Sequence, residues 1–434
     1  MAEARSIARV ALVVALLATA AWPQAASQAG APEQGAPRRR IVDKSKFPPK
    51  QSAVRKVFMA PVRLLNLPIE GVANMAGHLP AGAFGDNKDR LATGHHHLHK
   101  KFMYGGLGEG SGIGGGFSVS TADLLSRDFE ASAAVAATLR RYFDTRARLT
   151  YDPTGGHKRT FRLIAAGRYQ MRPQEDFSGI GAFSSEFDRT TFDQQERSAR
   201  LGAELQPHRR VQLGAGVDYS STSIFPGRDE RFPTTQALFT PAEVPGLAGG
   251  QLFGPYASLE LDARDAADDP RAGAWVGFGV ADNWSVDRQA FAFTSYRMDG
   301  RTYLPLGTKR RVIAVRVLGL FNDPRGDRAV PFFRMARLGD YETLRGYPSY
   351  RFYGNNALAG SLEYRWQLVE QLRAFLFADF GQVFNGLSEL RADNLRATFG
   401  GGFEARPAKQ FTFRIFVGKS PQETRLFLKL NRGF

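Results

Sequence analysis

An arginine in a glycine-containing loop and two acids on alternating segments are the strongest candidates for chemistry in this chain. Arg345 sits in Leu344-Arg345-Gly346-Tyr347, Glu363 in LAGSLEYRW and Asp379 in RAFLFADFG. Successive strand residues point to opposite faces. Ser361, Glu363 and Arg365 therefore share one face, and Leu358, Leu362, Tyr364 and Trp366 share the other. In the second segment Ala374, Leu376, Ala378 and Phe380 share a face, which leaves Phe377, Asp379 and Gly381 opposite. Both acids point into one polar compartment, where a planar guanidinium entering on a loop can bridge them through charge-assisted hydrogen bonds. The chemistry so implied is the electrostatic clamping of a loop inside a β-barrel.

Bond-making chemistry has less support. No G-x-S-x-G elbow occurs, and the seven histidines, His78, His95, His96, His97, His99, His157 and His208, lie mostly outside the expected strands. A hydrolase is the weakest reading, and no catalytic residue is assigned. The tract HHHLH, His95 to His99, offers nitrogen ligands for zinc or nickel, but the plainer reading is a solvated tract ahead of the first strand. No metal and no cofactor is expected. GLGEGSGIGGG at 106–116 mimics a phosphate-cradling loop, yet no helix pattern follows and no Lys-Ser/Thr ends it. Glycines of a first strand and its hairpin account for it better.

The start of the chain points to export. Basic Arg5 and Arg9, an apolar run from Val10 to Ala21 and small Ala18 and Ala20 read as a secretory signal peptide over 1–20. No later apolar run reaches the ~18 residues of a membrane helix. With no cysteine in 434 residues, an exported chain of this size relies on packing or sheet closure. A formal net charge of +16 ordinarily raises nucleic acid as a partner. Export and the lack of any recognition-helix or RNA-binding signature argue against it. The cations are assigned instead to a water-filled lumen or to acidic lipid head groups.

Residues 21–46, rich in Ala, Gln, Gly and Pro, read as a flexible linker. Residues 47–101 form an amphipathic amino-terminal segment, with Val54, Val57, Phe58, Leu64 and Leu65 among Arg55, Lys56 and Arg63, interrupted by Pro61 and Pro68. It is expected as a lumen plug or as a strap on the barrel rim. From 102 to 434 a period-two pattern takes over, as in FRLIAAGRYQM and RVQLGAGVDYS. Segments of ~10 residues, apolar on one face and polar on the other, predict an all-β transmembrane antiparallel barrel. Sixteen strands fit, the first near 102–108 and the last at 424–434. The long connections 173–193, 222–254 and 322–355 then all follow odd-numbered strands, which puts them outside and both chain ends in the periplasm. A secreted sandwich or propeller fits less well, because two packed sheets need a long all-apolar inner face.

With these residues in place, the chain resembles the bacterial surface antigen family, the BamA and TamA type of outer-membrane barrel, over about 102–434. Leu344-Arg345-Gly346-Tyr347 is similar to the family's (V/I)RG(F/Y) loop motif. Gly360, Glu363 and Arg365 are similar to its GxxExR strand, and Phe377, Asp379 and Gly381 to its FxDxG strand. LDARDAADDPRAGAW, with Asp262, Arg264, Asp265, Pro270 and Gly273, is similar to its DxRD...P..G hairpin, and PQEDFSGIG carries Asp176, Gly179 and Gly181 in a further familiar stretch. Phe434 is similar to the terminal aromatic that serves such barrels as an assembly signal.

The resemblance implies that the sixth outside loop folds back into the lumen and is fixed there by Arg345 against the acids of strands twelve and thirteen, with Gly346 allowing a tight turn and Tyr347 packed against the lumen wall. It also implies outer-membrane lipids, lipopolysaccharide included, and envelope proteins as partners. One departure stands out: the family's periplasmic POTRA modules have no counterpart pattern ahead of the first strand, so a barrel-only member is expected. Two functional expectations follow, a barrel that assists insertion or translocation of protein or lipid, and a passive pore or partner subunit with an amino-terminal plug.

Overall fold

The computed structural model describes residues 98–105, 111, 114–122, 128–153, 160–286, 291–408 and 411–431. The expected signal peptide, the linker, the amphipathic segment up to residue 97 and Phe434 lie outside them.

Period-two sequence becomes strand throughout. Among the described residues, sixteen strands form one antiparallel sheet in which each is bonded to its neighbours along the chain. They are β1 (Leu98–Gly105), β2 (Gly114–Ala122), β3 (Phe129–Thr138), β4 (Phe143–Tyr151), β5 (Phe161–Phe177), β6 (Thr190–His208), β7 (Val211–Pro226), β8 (Gly249–Asp262), β9 (Gly273–Ser285), β10 (Ala292–Leu306) and β11 (Thr308–Pro324). After the outlying pair β12 (Ala336–Leu338) and β13 (Phe352–Gly354), the sheet resumes with β14 (Asn356–Val369), β15 (Leu372–Phe384), β16 (Arg396–Ala408), β17 (Phe411–Lys419) and β18 (Thr424–Asn431). The sheet curls until β1 and β18 lie side by side. The two terminal strands of the sheet, the edges that an open sheet would leave exposed, thus come together. No helix of the described residues is long and apolar enough to cross a membrane.

The two faces separate as the alternation requires. Leu201, Leu213, Phe278, Leu304, Leu362, Leu376, Phe399 and Leu426 are exposed on the outer wall. The inner wall carries charge that is largely paired: Asp144 meets Arg146 and Arg168, Glu204 meets Arg148 and Arg162, and Asp299 meets Arg301 and Arg316. Each of these acids thus serves at least two arginines on the lumen side.

Several strands outrun the membrane. A tilted strand needs about 9–11 residues to cross, whereas β6 has 19 and β5 and β11 have 17 each. Their outer ends, with the connections 227–248 and 325–355, enclose a cluster of Phe177, Phe192, Leu252, Phe293, Phe332 and Tyr353. The outer end of the lumen is therefore packed with aromatic side chains.

Several boundaries differ from expectation; the connections expected at 222–254 and 322–355 are 227–248 and 325–355, because β7 runs to Pro226, β8 begins at Gly249 and β11 runs to Pro324. The first strand begins at Leu98, so the end of the HHHLH tract and residues 98–101 of the expected amino-terminal segment belong to β1, with His99 paired to Ser120. The connection expected at 173–193 is shorter, because β5 continues to Phe177 through a bulge between Arg172 and Glu175 and β6 already begins at Thr190.

Candidate functional site

Loop six, residues 325–355, leaves β11, forms the β12 and β13 pair and returns to β14. Between the two short strands it turns inward. Asp340 shapes this turn by accepting the backbone N–H groups of Glu342 (2.7 Å) and Thr343 (2.6 Å). Burial raises the Asp340 carboxyl above its ordinary value, opposed by those two N–H groups.

The turn delivers Arg345 to the wall. The residue is 5% exposed, and its side chain meets acids on two neighbouring strands. Nε donates to Asp379 Oδ2 at 2.9 Å and Nη2 to Asp379 Oδ1 at 2.7 Å, a two-pronged pair, while Nη1 donates to Glu363 Oε2 at 2.7 Å. The backbone N–H of Arg345 adds a bond to Asp379 at 3.0 Å, and Nη2 also reaches Ser361 Oγ at 2.9 Å. The guanidinium lies 3.7 Å from the Phe377 ring centroid. Burial by itself would lower its pKa, but the bonds to Asp379 and the charge of Glu363 raise it above the ordinary value, so the cation is permanent.

The flanking residues explain how the loop fits. Gly346 has φ +137, and a Cβ there would sit 2.9 Å from the Lys419 carbonyl carbon, so only glycine combines that backbone with that approach. Tyr347 is buried against Phe352, ring centroids 5.0 Å apart, in a cluster with Leu338, Leu344 and Val383. At Gly381 a Cβ would come 3.1 Å from Leu338 Cδ1, so a bare backbone gives β12 its place on the wall.

Glu363 is shared. Arg365 Nε donates to its Oε1 at 2.6 Å and Arg414 Nη2 to the same oxygen at 3.0 Å. Arg414 on β17 and Thr398, which contacts Asp379, are members of the cluster that the sequence did not single out; Ser361, already placed on the inward face, also bonds to Asp379. The alternation of FTFRIFVGK puts Arg414 inward, but nothing local names its partner.

Arg345, Gly346, Tyr347, Glu363, Arg365, Asp379 and Gly381 thus form one cluster. The hairpin residues form another, at the periplasmic turn 263–272. Arg264 there pairs with Asp262 (2.7 Å), and Asp265 accepts the backbone N–H groups of Arg271 (2.9 Å) and Ala272 (3.1 Å) and the ammonium of Lys309 (3.0 Å). Pro270 is buried in the turn. Gly273, at φ +95, lets a backbone pass where a Cβ would lie 2.2 Å from the Ala263 oxygen. Farther up, Asp176 pairs with Arg189, and the N–H of Gly181 bonds to the Tyr353 oxygen of loop six at 2.7 Å. No group of His, Cys, Asp and Glu among the described residues is arranged to hold a metal ion.

The Omp85 superfamily domain matches residues 107–417, most of the chain. This chain belongs to the Omp85 superfamily. It is accordingly a β-barrel of the bacterial outer membrane. Its fold is similar to that of BamA from Haemophilus ducreyi lacking POTRA domains 1–3, with TM-score 0.57 and 14% identity over 77% of this chain and 69% of that one. It is also similar to CdiB from Escherichia coli, with TM-score 0.54 and 10% identity over 78% of this chain and 62% of that one. The Omp85 barrel described here therefore spans about two thirds of either structure. A comparison with curated protein sequences finds no match.

Proposed function

We propose that this Omp85 barrel assists the insertion or translocation of protein or lipid at the outer membrane, with its first and last strands as the working seam. The observation that carries the reading is the asymmetry of the sheet. Among the described residues β1 and β18 have eight residues each, the shortest in the sheet, whereas β6 has 19. A short seam has little shared length to separate. Glycine further weakens its surroundings, with Gly114, Gly115 and Gly116 in β2 and Gly400, Gly401 and Gly402 in β16. The Arg345 clamp keeps loop six anchored to β14 and β15 while that seam moves. A passive pore is the weaker reading, because aromatic side chains fill the outer end of the lumen.

Depletion in the native host tests the proposal. Loss of the chain is expected to lower at least one other outer-membrane protein or a surface lipid. Normal levels of all of them would remove the reading.

A further inference from the structure

Asp269, in the periplasmic β8–β9 turn, contacts residues far from it in sequence. Its carboxylate accepts from Arg373 Nη2 on β15 at 2.7 Å and lies 3.3 Å from Arg406 Nη1 on β16, and Arg406 also donates to the Asp268 carbonyl at 3.2 Å. β9 and β15 are four places apart in the sheet order, so the turn reaches across a segment of the barrel mouth. Arg271 fastens it on the way, donating to the Lys309 carbonyl at 3.4 Å and to Gln367 Oε1 at 3.1 Å.

From Asp269 a line of alternating charges runs up the inner wall. Arg373 Nη1 lies 3.4 Å from Glu404 Oε1, Glu404 Oε2 lies 3.2 Å from Arg414 Nε, and Arg414 Nη2 donates to Glu363 Oε1 at 3.0 Å. Glu363 then holds Arg345 of loop six. Six side chains connect a periplasmic turn to an outside loop with no gap wider than an ion pair.

We propose that the β8–β9 turn is a releasable latch on the periplasmic mouth and that this line of charges couples its docking to the order of loop six. Two features make the latch releasable. Arg373 and Arg406 each keep Glu404 as a partner when Asp269 leaves, and the Asp269 side chain is 25% exposed, so water can take over its solvation. Its departure also shifts the balance at Glu404. Arg373 and Arg406 then lean on that carboxylate alone, Arg414 competes for it less well and draws more on Glu363, and the hold on Arg345 weakens. A periplasmic chain offering carboxylates to Arg373 and Arg406 would open the latch in this way. The coupling concerns the barrel itself and does not depend on which cargo it serves.

The test uses the full chain reconstituted in lipid bilayers. Asp269→Asn keeps the side chain's shape and removes its charge. It is expected to speed cleavage of residues 340–355 by an externally added protease severalfold, while Arg209→Ala, on the exposed β6–β7 turn outside the line, leaves the rate unchanged. Coupling free energies are reciprocal, so Arg345→Ala is expected to speed hydrogen exchange across 263–272 severalfold. Wild-type cleavage in Asp269→Asn, equal acceleration by Arg209→Ala, or unaltered exchange of the turn in Arg345→Ala would each overturn the proposal.

Discussion

Arg345 and Asp379 share three hydrogen bonds, two from the guanidinium and one from the arginine's own backbone N–H. Side chain and main chain of one loop residue thus fasten to one wall carboxylate, which fixes the position of the loop as well as its charge pairing. Arg345→Ala leaves a buried carboxylate with Ser361 and Thr398 as its side-chain partners among the described residues. The expected cost is about 1–3 kcal/mol, local to loop six, and it is read as faster proteolysis within 340–355. Arg345→Lys is expected to recover only part of this, because an ammonium cannot form the fork that meets two acids at once.

Gly346 gives a second and independent handle on the same loop. Gly346→Ala keeps every charge but forces a side chain onto φ +137 with its Cβ 2.9 Å from the Lys419 carbonyl carbon. Backbone strain of this kind costs on the order of 1–3 kcal/mol. Loop six is therefore expected to loosen about as much as in Arg345→Ala although no hydrogen-bonding group is lost. Hydrogen exchange across 338–352 checks this, and wild-type protection would refute it.

The clamp was legible in the sequence because it rests on period two. Glu363 and Asp379 face inward for the same reason that Leu362 and Leu376 face out. The parity of long connections likewise follows from strands that only cross a membrane. Legibility fades where that condition ends. Thr190, Thr191, Phe192 and Asp193 are all buried, since above the membrane both faces of β6 are covered by loops and the alternation disappears. β12 and β13, at three residues each, are too short to show any period. Asp269 meets Arg373 from 104 residues away and Arg414 meets Glu363 from 51 residues away, and a long-range ion pair leaves no local pattern.

The periplasmic turn has a defined response to acid. Burial works against the Asp265 carboxylate, but the N–H groups of Arg271 and Ala272 and the Lys309 ammonium hold it at about 2, below the ordinary 3.8. A depressed acid stabilises the folded state above its unfolded value and loses that contribution as pH falls through the folded one. The turn is thus expected to be insensitive to pH from neutrality down to about 4 and to loosen between about 4 and 2. Hydrogen exchange at Ala272, corrected for its intrinsic pH dependence, reports the change. Asp265→Asn is expected to abolish it.

The outer wall supplies a prediction that separates a membrane barrel from a soluble one. Leu376 is 55% exposed and sits on the face of β15 opposite Asp379, so in the membrane it meets hydrocarbon. An arginine on the lipid face costs up to about 2–4 kcal/mol near the bilayer midplane and less toward the interfaces. Ser198, on β6, has the same parity as Glu196, Arg200 and Glu204, whose partners lie in loop six or on the inner wall, so an arginine there enters a polar compartment. Leu376→Arg is therefore expected to lower the urea midpoint of the barrel folded in liposomes clearly more than Ser198→Arg does. In a water-soluble sheet the order would reverse, because an exposed leucine tolerates arginine and an interior serine does not.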